Sequence, residues 1–128
     1  MKQNGIYLTD LHHDHQEWLI ALDFYKHALK GYGERLDDVA RANTKVEVMK
    51  QVEHYQNQFI IQEKNISDLV HLIAKEENII LSSVKENPVA TDHRKITDNV
   101  ELREAVTGFE NYFTKLRTEY IRFLRSVL

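Results

Sequence analysis

The spacing of apolar residues in the first third of the chain leaves few folds open. Leu11, Trp18, Leu22, Tyr25, Leu29, Tyr32, Leu36 and Val39, with His15 filling one gap, follow one another at alternating steps of four and three residues. That alternation puts every member on one stripe of an α-helix. Sustained over several heptads, it makes a seam that packs knobs-into-holes against a neighbouring helix. Thr9 or Asp10 is a suitable N-cap, and Asp14 and Glu17 follow in the early turns, where anions are favoured. The helix should end near Asn43, because Thr44-Lys45-Val46-Glu47 has the Thr-x-x-Glu form of a capping box. Gly31 and Gly33 each cost about 1 kcal/mol relative to Ala within a helix. The seam continues through Leu36, so one helix over 10–42 is expected, and a break at 31–33, giving four helices, is the alternative.

A second seam runs through Val48, Val52, Tyr55, Phe59, Ile66, Leu69, Ile73, Ile80 and Val84, with Gln62 and Glu76 as polar intruders. No Gly or Pro lies between Gly33 and Pro88, which predicts a single helix over 45–85. At 1.5 Å per residue it is about 60 Å long. It must finish before Pro88, since the residue ahead of a proline resists the helical conformation. Residues 86–97 then form a connection, and Asp98-Asn99-Val100-Glu101 repeats the capping-box form. Leu102, Val106, Phe109, Phe113, Leu116, Tyr120, Phe123 and Val127 carry the alternation to the chain end, a third helix over 98–128. The expected fold is all-α: an antiparallel bundle of three long heptad-patterned helices forming one domain over 1–128.

Charge and composition exclude several classes of function. Lys plus Arg number 17 against 20 Asp plus Glu, with no basic block, so a nucleic-acid partner is not expected. The chain has no Cys, which removes disulfide and thiolate chemistry and fits a reducing compartment. No stretch approaches the roughly 18 apolar residues of a membrane span, and the N-terminus lacks a signal-peptide core. A soluble, cytoplasmic protein without a membrane partner is expected.

The tight connection at 43–44 makes the first two helices antiparallel neighbours. Val39 then faces Val48, Leu36 faces Val52, Tyr32 faces Tyr55 and Tyr25 faces Gln62, whose amide the phenol could satisfy. Continued, the pairing sets His15 opposite Ile73 and Leu11 opposite Glu76, so a seam carboxylate meets the histidine-rich stretch Thr9–Trp18. His12, His15 and Glu76, completed by His93 on the connection, are the candidate ligands of a Zn or Fe type site. If Leu102 lies beside Val84, the third helix leaves the far end uncovered. Tyr32, Leu36, Val39, Val48, Val52 and Tyr55 would then form an apolar surface for a second copy or a helical partner. No phosphate loop or activated nucleophile is present in the sequence. The expected function is a non-enzymatic interaction or oligomerisation module without a cofactor, with a metal-binding bundle as the alternative.

Overall fold

The computed structural model describes residues 5–86 and 95–128. A short strand β1 (Gly5–Tyr7) leads without a turn into helix α1 (Leu8–Ala42), which is followed by helix α2 (Val46–Glu86). A second strand, β2 (Lys95–Thr97), precedes helix α3 (Val100–Val127). The three helices pack as an all-α bundle, and α1 runs unbroken through Gly31 and Gly33. The four-helix alternative is therefore excluded. No described helix is long and apolar enough to cross a membrane.

The strands were not foreseen, because three residues are too few to show a period. They pair antiparallel, with Ile6 opposite Ile96, and half-bury both side chains against Leu8, Leu11, Ile80 and Val84. Their presence also shifts two helix starts. α1 begins at Leu8, ahead of Thr9 and Asp10, with Tyr7 in the cap position and no side-chain cap. At α3 the cap is Asn99, whose Oδ1 accepts the Leu102 N–H at 3.1 Å, rather than Asp98. Asp98 is free to accept two hydrogen bonds from Arg103 instead.

α3 also sits further along the bundle than a start beside Val84 would allow. Asn99 Nδ2 donates to Glu76 at 2.9 Å, and Arg103 reaches Asp14 at 2.8 Å. Against an alignment with Leu102 beside Val84, the start of α3 thus lies about three turns back along α2. Its later residues accordingly reach the far end. Phe113 stacks on Tyr32, Tyr120 lies within 5.3 Å of both Tyr32 and Tyr55 between ring centroids, and Phe123 stacks on Tyr55. The uncovered apolar end expected from the sequence is closed by these rings. Leu36, Val39, Val52 and Tyr55 are buried, while Tyr32 and Val48 are half-buried against the same core.

Two other expected pairings are replaced. Tyr32 meets Phe59 rather than Tyr55, so α1 and α2 are offset by about one turn from the simplest alignment. The Tyr25 hydroxyl donates to Glu110 of α3, not to Gln62. Gln62 is nonetheless buried, at 2 % exposure.

Tyr120 is the central member of the aromatic end: it is fully buried, and its hydroxyl donates to the Tyr32 carbonyl at 2.7 Å. Burial pushes its pKa from 10 up to about 12. Burial also raises Tyr25 and Tyr55. The folded state thus holds the phenol proton over a range where the unfolded chain has lost it. The phenols' contribution to stability should be constant below pH 10 and fall between pH 10 and 12, by at most about 1.4 kcal/mol per pH unit from Tyr120. Tyr120→Phe should lose about 0.5–1.5 kcal/mol at neutral pH with its hydrogen bond. It should also flatten part of the alkaline slope, which urea unfolding at a series of pH values would measure.

Candidate functional site

Two places gather polar side chains into buried surroundings, and the histidine-rich start of α1 is the first. His12 and His15 stand three residues apart, which sets them on one face of a helix. That face meets α2 at Glu77. The His12 Nδ1 donates to Glu77 Oε2 at 2.7 Å and the His15 Nδ1 to Oε1 at 2.6 Å. A carboxylate oxygen offers only acceptors, so the ring hydrogen sits on Nδ1 in both cases. His15 is 1 % exposed and its ring packs 5.4 Å from Trp18.

The layer continues onto α3. Arg103 lies over the Trp18 ring at 4.9 Å and forms ion pairs with Asp98 and Asp14. The hydrogen bond to Asp98, joined by a weaker one to Asp14, raises the guanidinium pKa above its ordinary value against the opposing effect of burial. One polar layer therefore crosses all three helices, with Leu8, Leu11 and Ile80 on one side and the main core on the other.

Of the four predicted ligands, His12 and His15 come together as expected. Their carboxylate partner is Glu77, not Glu76, which points to Asn99 at the surface. An α-helix has 3.6 residues per turn, so seven residues fall short of two full turns by about 20° and the inward position comes progressively later. Four heptads into α2, the inward residue has slipped by one position. His93 lies outside the described residues. Among the described residues no three His, Asp or Glu side chains are arranged to hold a metal ion. His13 pairs loosely with Glu17 and His27 with Asp23, all exposed.

The second place was not foreseen. A groove of about 580 Å³ runs between α2 and α3, with Ile61, Leu69, Ala105, Gly108, Phe109 and Tyr112 as its apolar lining. Gln58, Gln62, Asn65 and Asp68 supply the polar part. The Tyr112 hydroxyl donates to Gln58 Oε1 at 2.8 Å, and Asn65 Nδ2 donates to Gln62 Oε1 at 3.3 Å. Asp68 is already paired with Lys64 at 2.8 Å. The groove therefore presents amides and apolar surface with no uncompensated charge. The groove between α1 and α2 also has apolar lining, Ile66 and Val70, but sets Lys26, Lys30 and Glu63 beside it. Two signals for the α2–α3 groove stood in the sequence: the polar intruder Gln62, and the small pair Ala105 and Gly108 one turn apart.

No family model matches the chain, and no curated protein or solved structure matches it.

The exchange of Glu76 for Glu77 is directly testable. Glu77→Ala strands the buried His15 N–H and should cost about 1–3 kcal/mol of stability. Glu76→Ala removes a surface contact and should stay within about 0.5 kcal/mol. Equal effects in chemical denaturation would remove Glu77 as the partner of the imidazoles.

Proposed function

We propose that this chain is an interaction module that works by association rather than by bond chemistry, taking a helical partner along the α2–α3 face. The groove free of uncompensated charge carries the reading. In a chain with 37 Asp, Glu, Lys and Arg residues, a face that gathers aromatic, aliphatic and amide side chains has the make-up of an interface core. The face also extends beyond the groove. Ile61, Leu72 and Ile79 are about half exposed and lie 11 and 7 residues apart, close to three turns and then two. They form one stripe about 27 Å long, which suits a rod such as a helix. Ile20 and Phe24 on α1, and Ile60, Val70 and Leu81 on α2, are exposed outside this stripe.

Covering three half-exposed aliphatic side chains gains on the order of 1 kcal/mol each. Association costs about 4 kcal/mol or more in lost freedom. The partner must therefore cover the groove and Tyr112 as well as the stripe, approaching the roughly 800 Å² per side of a stable interface. Ile61 belongs to both groove and stripe, so it is the position to change. The native particle in a cell extract should be heavier than the monomer, and Ile61→Glu should return it to monomer mass without altering its helical circular dichroism. A wild-type particle of monomer mass would count against the proposal.

A metal-binding role keeps one support. Glu77 orients two imidazoles through Nδ1, which leaves Nε2 of each ring as the available donor, an arrangement that metal-ligating histidines share. On this second reading, protein purified without a tag carries stoichiometric Zn or Fe, lost in His15→Ala. An unchanged melting temperature on adding and removing Zn²⁺ would set it aside.

A further inference from the structure

We infer that the occupant of the α2–α3 face is a second copy of this chain, docked through the same face. The inference rests on the association reading above and names its partner. Gln62 carries the argument: it lines the groove at 2 % exposure, its Oε1 accepts from Asn65, and its Nε2 donates to no group among the described residues. A buried amide donor takes its acceptor from the protein, from water or from a partner, and a partner's carbonyl in the groove would supply one. The face offers what it lacks. Among the described residues the Nε2 donors of Gln58 and Gln62 and the Oδ1 acceptor of Asn65 meet no protein partner. Two copies related by a two-fold axis can therefore satisfy each other, donor to acceptor in both directions. Because Lys64 pairs with Asp68, the lining of the groove itself brings no unpaired charge to such a contact.

Gly108 fits the same account. A Cβ placed there meets nothing within 4 Å, so the fold of one copy has no packing need for glycine in the middle of α3. Glycine destabilises a helix interior, and here it opens the groove floor to close approach by another helix. Gly31 and Gly33 are equally open within α1, but neither lines this groove.

The test uses the purified full chain. Light scattering over a concentration series should show a monomer–dimer equilibrium. Gly108→Arg should weaken it by at least about 30-fold while leaving the melting temperature of the diluted monomer unchanged or higher. The chain has no native Cys, so single cysteines report the face. Ala105→Cys, in the groove, should be captured as a dimer by a short thiol crosslinker, and Lys26→Cys, on the α1–α2 side, should not. A dimer that ignores Gly108→Arg, or that crosslinks through Lys26→Cys instead, would overturn the inference. So would a purified chain that stays monomeric. In that last case the extract measurement separates the two ideas: a heavier, Ile61-dependent native particle keeps the association reading with a different partner, and a native particle of monomer mass ends both.

Discussion

A single carboxylate fixes the alignment of the helical hairpin. Glu77 has two oxygens, and each accepts one imidazole N–H from α1. Sliding α1 along α2 by one turn would bury the carboxylate against aliphatic side chains and leave His15 without a partner. Either change costs several kcal/mol, whereas an all-apolar seam would lose little by the same slip. The heptad pattern makes α1 and α2 pack, and the polar layer selects which of the packed alignments is populated. This is the same logic by which one buried polar residue sets register in a coiled coil.

The third helix is aligned by different means. Its early end is held by the Asn99–Glu76 hydrogen bond and by Arg103 between Asp14 and Asp98. Its late end is held by stacked rings, with one phenol hydrogen bond inside them. Aromatic rings tolerate offsets that aliphatic knobs do not, since stacked, tilted and edge-on arrangements differ little in energy. The tilted and edge-on contacts among Tyr32, Tyr55, Phe59 and Tyr120 show that tolerance. Polar contacts therefore decide where α3 starts, and the rings adapt to the result.

This division explains what the sequence disclosed and what it withheld. Helix number, type and approximate ends follow from local spacing, which operates along one helix at a time. Three seams of eight or more members left no other fold, and Gly31 and Gly33 were too weak to break the first. Alignment between helices is a difference between two long, similar stripes, and it escaped. The Val39–Val48 alignment placed Tyr32 on Tyr55, because the axial offset of one turn leaves no mark in either seam, and it gave Glu76 the role of Glu77, because a strict heptad count accumulates phase error over about 30 residues. The position of α3 escaped for another reason: it is set by contacts of Asn99 and Arg103 with Glu76 and Asp14, residues remote in sequence and outside the heptad seams. The α2–α3 groove was hidden because it depends on that position, although Gln62 had marked the neighbourhood.

The strand pair has a consequence for the order of folding. β1 and β2 are joined by no hairpin turn; their pairing closes a loop of some 90 residues, a contact whose entropic cost falls only when other contacts have already brought the ends together. The α1–α2 hairpin, linked by three residues, involves the nearest neighbours in sequence and suits early formation. The clasp is then a late event, and being small it is among the first parts to open. Its opening would uncover Leu8, Leu11 and Ile80 and let water reach the Glu77 layer from the end of the bundle, while the aromatic end stayed shut. The molecule thus has a soft pole and a hard pole, although its three helices share one pattern.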